Sequence, residues 1–151
     1  MNKVIDCDIM ADKRIDIGCG EKPQVCFDVY TDIYQPKVEV PGKFVLCSVE
    51  SMPFQDDEFS YSRCHHVIEH TSNPDRACRE LIRISKAGTL WFPTPQAELL
   101  FGRADHRWFV FVERGKLLFV AKRFASYKIK CACLKSIEFL WEKRFSWEIV
   151  S

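Results

Sequence analysis

The stretch RIDIGCGEKPQVCFDVYTD, residues 14–32, carries a short apolar run, glycines at 18 and 20, and then acids at 28 and 32. A strand that ends in Gly-x-Gly and is followed by an acid is the layout of a nucleotide-type cofactor site. In the dinucleotide version a whole helix follows the glycines. Its N-terminus holds the pyrophosphate, and the acid comes about 20 residues later. Here only Glu21, Lys22, Pro23 and Gln24 separate Gly20 from the next apolar run, VCFDV (25–29). Four residues make about one helical turn, too few for a stable crossover helix. Glu21 also brings negative charge to where a phosphate would sit. The spacing disfavours NAD, FAD or ATP, but it keeps close backbone approach at the glycines and an acid beyond them.

Outward from this stretch, KFVLCSV (43–49), EFSYSRCHH (58–66) and TLWFPTP (89–95) read as further strands. Arg63 is unusual in a strand covered on both faces. NPDRACRELIRISKAG reads as a helix, with Asn73 as N-cap, Pro74 in the first turn and Asp75 at the positive end of the dipole. Ala77, Cys78, Leu81, Ile82 and Ser85 share its apolar face, and Gly88 suits a left-handed C-terminal close. Strand, helix and TLWF make a βαβ unit, hence a parallel sheet. Beyond residue 100 the aromatic and basic residues lack a clean period. YKIKCACLK (127–135) alternates like an exposed strand, and RFSWEIV (144–150) is another strand candidate. Together they suggest an antiparallel pair closing the sheet.

At 151 residues, 47% apolar and 28% charged, the chain suits one domain, residues 1–151. No apolar run approaches the roughly 18 residues of a membrane span. The acids in MNKVIDCDIMADKR argue against an export signal. The eight cysteines fall mostly in apolar segments, and they are read as reduced thiols in a cytoplasmic protein. Residues 101–151 hold 11 Lys and Arg against 5 acids. That is either a solvated face or a surface for an anionic partner.

S-adenosylmethionine has an adenosine and an amino-acid tail but no phosphate, so it matches what the short spacing keeps. Residues 14 to about 110 resemble a class I S-adenosylmethionine-dependent methyltransferase of the compact type-11 kind. IDIGCG resembles the family's first motif and FDVYTD its ribose-binding strand end. SVESMPFQDDEFSYSRCHHVIEHTSNPDRACRELIRISKAG resembles its long pattern of an acid, Leu-Pro-Phe, a turn with Phe, and His-Val-Leu-Glu-His before a helix.

The resemblance implies an α/β, Rossmann-like fold: a mostly parallel sheet with helices on both faces, here abbreviated. Residues 1–95 would bind the cofactor, and 96–151 would close the sheet and face the substrate. The resemblance places Asp16, Gly18 and Gly20 at the methionine end of S-adenosylmethionine. It places Asp28 at the ribose hydroxyls, with Asp32 as the alternative. Ser48, Val49 and Glu50 would border adenine, with Met52 and Phe54 walling its slot. The chain departs from the family at Ser48 and Ser60, where acids are usual.

CHHVIEH falls just beyond the fourth strand, where ligands of open α/β sheets sit. His65 and His66 are the candidate general bases, since neutral imidazole takes a proton near pH 7. ADHRWF (104–109) resembles a His-x-x-Phe element of related enzymes, which would turn His106 to the substrate with Arg103 and Arg107 holding a negative group. A metal is not expected: His66, His70, Cys64, Cys131 and Cys133 make no standard zinc spacing. Three functions remain open. The first is a methyltransferase for a small-molecule, saccharide or lipid-precursor acceptor. The second is a non-catalytic domain that works as a partner subunit, in a homodimer or with a second chain. The third, less favoured, is a nucleic-acid methyltransferase, for which no Asn-Pro-Pro-Tyr-like motif is found.

Overall fold

In the computed structural model, which describes residues 12–122, 136–142 and 144–150, the RIDI run forms strand β1 (Arg14–Ile17). β2 (Val29–Asp32), β3 (Lys43–Leu46), β4 (Tyr61–His65), helix α1 (Pro74–Ile84) and β5 (Ala87–Pro93) follow. Then come α2 (Pro95–Phe101), the hairpin β6 (Trp108–Glu113) and β7 (Lys116–Ala121), β8 (Ser136–Glu142) and β9 (Ser146–Val150). The main sheet has the order β3-β2-β1-β4-β5-β8, parallel except for β8, which runs antiparallel to β5. A second sheet has the order β6-β7-β9. The architecture is the expected mostly parallel α/β sheet with an antiparallel closing pair.

The partners in that pair differ from the sequence reading. β9 forms within 144–150, but it pairs in parallel with β7 in the small sheet, and β8 is what closes the large one. Residues 127–135 lie outside the described residues. The β6–β7 turn, Arg114-Gly115, has φ of 50° and 76°, the left-handed pair that a two-residue hairpin turn requires.

Strand register explains the two faces of the main sheet. Ile15 aligns with Ser62 and Ile17 with Cys64, while Asp16 aligns with Arg63. The Ile15 and Ile17 face packs on Ala77, Cys78, Leu81 and Ile84 of α1 in one core with Leu90, Phe92, Phe139 and Trp141. Arg63 belongs to the other face, where its guanidinium pairs with Asp16 at 2.6 Å, so the strand tolerates it. No helix occurs between β1 and β2 or between β2 and β3. The loop after Gly20 covers part of that face instead. Gln24 N–H donates to Asp16, Gln24 C=O accepts from the Tyr30 hydroxyl, and Phe27 meets Tyr30 edge to face.

The helix starts as its sequence dictates, the Asn73 side chain accepting from Arg76 N–H. It ends earlier, at Ser85, whose backbone is extended. Gly88 therefore lies in β5, where a Cβ would stand 2.5 Å from Ser62 O and 2.8 Å from Trp141. Close packing of strands, not helix closure, is what excludes a side chain there. Cys26 is disulfide-bonded, against the expectation of uniformly reduced cysteines, whereas Cys19, Cys47, Cys64 and Cys78 are free. Among the described residues no helix is long and apolar enough to cross a membrane.

Candidate functional site

The sheet order reverses between β1 and β4, and a cleft of about 770 Å³ opens beyond the carboxyl ends of β1 to β4. This is where open α/β sheets bind ligands, and the volume is that of a small-molecule site.

Its floor is the glycine turn. Gly18 N–H and Cys19 N–H both donate to Thr31 C=O, which ties the turn to β2. Gly18 has φ 68°, and a Cβ there would stand 2.2 Å from Val67 Cγ2. Gly20 has φ 53° and open space where a Cβ would be. Its N–H donates to Asp32 Oδ2 at 2.9 Å. Asp32 Oδ1 accepts from Tyr34 N–H, so the carboxylate is braced at the carboxyl end of β2, lining the cleft.

Asp28 does not join it. The apolar run VCFDV is not the strand. Val25 is 72% exposed and Cys26 has φ 70°, which breaks an extended run, so β2 begins four residues later, at Val29. Asp28 therefore stands at the amino end of β2, its carboxylate accepting from Arg14 N–H at 2.7 Å. Asp32 holds the position in which the sequence reading put Asp28. Asp16 also stays out of the cleft. It is fully buried on the loop-covered face, held by Arg63 and Gln24. Burial raises its carboxyl above the usual range, against the lowering pull of Arg63.

Cys47, Ser48, Val49 and Glu50 form the wall after β3. Ser48 Oγ accepts from Glu50 N–H, closing its own turn. The Glu50 carboxylate accepts from Ser72 N–H, the Ser72 hydroxyl and Asn73 N–H. It thus ties this loop to the start of α1. Met52 is buried in the core and does not wall the cleft, and Phe54 packs on Phe59. The exposed apolar side chains that do line it are Ile33 and Tyr34, next to Asp32. The sequence signal for them was the TDIY run, where a strand's last acid is followed by two large apolar residues.

Beyond β4, His65 and His66 part company. His65 lies on the same face as Arg63, against Trp91, with its Nε2 buried and without a partner among the described residues. Burial first, then Arg63 and His66, lowers its pKa to about 4. It does not line the cleft. His66 does, with φ 56°. Its N–H donates to Trp91 C=O, its ring stacks on Trp91, and its Nδ1 is 3.2 Å from Glu69 Oε1. A non-glycine residue in this region is uncommon and concentrates at functional sites. His106 is buried behind the wall, its Nδ1 2.5 Å from Glu98 Oε2, rather than turned to the cleft. Arg107 and Asp105 line the cleft, and Arg103 is held by Asp105. Glu69 stood in the CHHVIEH stretch that resembles the family's His-Val-Leu-Glu-His pattern, whereas the buried acid Glu98 carried no recognisable spacing in the sequence.

The model of a methyltransferase-domain family matches residues 15–92, just over half of the chain. The chain belongs to that family. Among solved structures it resembles a putative methyltransferase from an antibiotic biosynthesis pathway of Anabaena variabilis, with a TM-score of 0.50 and 17% identity over 58% of this chain and 41% of that one. It also resembles an S-adenosylmethionine-dependent methyltransferase, possible histamine N-methyltransferase, of Thermotoga maritima (TM-score 0.49, 20% identity, 64% and 51% covered). A third is the YcgJ protein of Bacillus subtilis (0.49, 24%, 58% and 47%). The chain spans about half or less of the length of each. A comparison with curated proteins gave no match.

S-adenosylmethionine is the cofactor of this domain. The residues present fit it: an open glycine backbone at Gly20, a braced carboxylate at Asp32 and an apolar edge at Ile33 and Tyr34.

Proposed function

We propose that this domain transfers the methyl group of S-adenosylmethionine to an oxygen or nitrogen of a small-molecule, saccharide or lipid-precursor acceptor. The observation that carries the reading is the bond from Gly20 N–H to Asp32 at the head of the cleft. Gly18 and Gly20 take the methionine end, Asp32 the ribose hydroxyls, and Ser48, Val49 and Glu50 the adenine side. The cofactor supplies an electrophilic methyl group. The protein supplies alignment, which is most of what a direct displacement needs. His66, exposed in the cleft, takes the acceptor's proton. His65 and His106 orient or pack.

Ser48 favours a second reading. Its hydroxyl accepts from Glu50 N–H in its own turn, and being neutral it gives the adenine amino group a weaker acceptor than the acid usual in the family. A non-catalytic partner subunit, in a homodimer or with another chain, would need no such contact. A nucleic-acid acceptor is the least supported, since Asp105 already neutralises Arg103. A cytoplasmic location goes with the proposal through the free thiols of Cys19, Cys47, Cys64 and Cys78, and the bonded Cys26 counts against it.

Isothermal titration with S-adenosylhomocysteine tests the reading. Asp32→Ala is expected to weaken binding about 10- to 150-fold, the equivalent of a charge-assisted hydrogen bond of about 1.5–3 kcal/mol. Asp28→Ala should leave it unchanged. The reverse pattern would return the ribose role to Asp28. No binding by folded wild-type protein would favour the partner-subunit reading.

A further inference from the structure

Behind His66, three side chains from two distant stretches converge: Glu69 and His70 on the 3₁₀ turn Ile68–His70, and His106 just before β6. One ligand atom from each lies within 4.8 Å of the others. Chain bonds hold the two stretches together, since Arg107 N–H donates to Glu69 C=O and Trp108 Nε1–H to Thr71 C=O.

Glu69 is only 1% exposed. Its Oε1 meets His66, but its buried Oε2 has no hydrogen-bond partner among the described residues. An unsatisfied buried carboxylate oxygen is costly, and a bound cation removes that cost. The two imidazoles meet edge to face at 4.4 Å. Each also has a carboxylate at Nδ1: Glu98 at 2.5 Å from His106, and Asp105 at 3.5 Å from His70. At His106, with Nδ1 engaged by Glu98, Nε2 carries the lone pair, and a carboxylate behind the ring is the support that metal-binding histidines commonly have. At His70 the Asp105 carboxylate is a nearby charge and not a hydrogen-bond partner. Lys122 balances Glu98. No Lys or Arg side chain pairs with Glu69 among the described residues.

We propose that Glu69, His70 and His106 form a site for a divalent transition metal, with zinc the best match. Two histidines, one carboxylate and an open position make a known zinc donor set. Atoms bound to one zinc at about 2.1 Å stand about 3.4 Å apart, so atoms now within 4.8 Å of one another must close by up to about 1.4 Å. His70, partly exposed, has room to move. It also lines the cleft, so the open position meets the place where an acceptor would lie. There the ion would hold an acceptor hydroxyl and lower its pKa. That use rests on the methyl-transfer reading, whereas the site itself does not. No cysteine takes part.

The test is to titrate the chelator-treated full chain with Co²⁺, then displace it with Zn²⁺, and to follow thermal unfolding with each ion. One equivalent of Co²⁺ is expected, with a visible d–d spectrum, no thiolate-to-cobalt charge-transfer band and a raised Tm. Glu69→Gln and His70→Ala should each weaken uptake at least 10-fold. Because His70 is partly exposed, its variant keeps the fold, and circular dichroism checks this. No uptake by wild type, a thiolate band, or unchanged uptake in both variants would overturn the proposal. Since neither cofactor nor acceptor is used, such a failure leaves the S-adenosylhomocysteine result standing.

Discussion

Gly18 and Gly20 share a left-handed backbone but not the same reason for being glycine. At Gly18 a methyl group would collide with Val67, whereas at Gly20 it would meet nothing in the protein and would project into the cleft. Gly18→Ala is expected to cost about 2–4 kcal/mol, from the positive φ plus overpacking. Gly20→Ala should cost about 1–2 kcal/mol from the φ alone, yet lose most of its affinity for S-adenosylhomocysteine. Urea midpoints and titration calorimetry on both variants separate the effects. Equal stability losses would remove Val67 from the explanation. Both glycines were legible in the sequence, and so was Val49 on the wall. Asp32 was legible only as an alternative. The apolar look of Val25, Cys26 and Phe27 hid a loop, and a shift of four residues moved the acid from the end of the strand to its start.

Among the elements, the loop after β3 and helix α1 behave as one piece because Glu50 joins them. Its carboxylate sits at the positive end of the helix, where negative charge is stabilising, and accepts from both Ser72 and Asn73. Glu50→Ala should lower stability by about 1–3 kcal/mol, the cost of leaving such donors unpaired. It should also weaken S-adenosylhomocysteine binding, because the Ser48–Glu50 wall loses its anchor. Lower Tm with unchanged affinity would take that wall out of the cofactor site. The start of α1 was legible from Asn73 and Pro74, since capping is local chemistry. Its end was not, because Gly88 answers to strand packing. Met52 and Phe54 were misplaced for a related reason, since burial in a core and burial against a ligand select the same side chains. The β6–β7 hairpin escaped notice because its outward positions are apolar as well: Leu117 and Phe119 are buried, but Leu118 and Val120 beside them are equally apolar, so the sequence shows no alternation.

For the whole molecule, pH is the most direct probe of how the two sheet faces differ. His65 is neutral in the folded protein down to about pH 4 but titrates near 6.5 when unfolded. Its contribution is complete above pH 6.5 and is lost as the pH falls from 6.5 towards 4. The full shift corresponds to about 3 kcal/mol, and partial exposure reduces it to about 1–2 kcal/mol. The urea midpoint should therefore fall over that range, and less steeply in His65→Asn. His70, also lowered by burial, acts in the same sense, and Asp16, raised by burial, in the opposite one. The difference between variant and wild type cancels both. Identical slopes would show that His65 is solvated.

The missing helices between the first strands have a cost and a return in chain entropy. Ile15 pairs with Val29, and Val29 with Lys43, across short connections, while Ala87 must find Glu142. Loop-closure entropy grows with the logarithm of the separation, so joining β8 to β5 costs about 1 kcal/mol more than either early pairing. The β1–β2–β3 part of the sheet, under the glycine turn and the Ser48–Glu50 wall, is thus the part that closes most cheaply, whereas joining β4 to β1 spans a separation as long as that of β8 from β5. The sheet's far edge depends on the rest of the chain being in place.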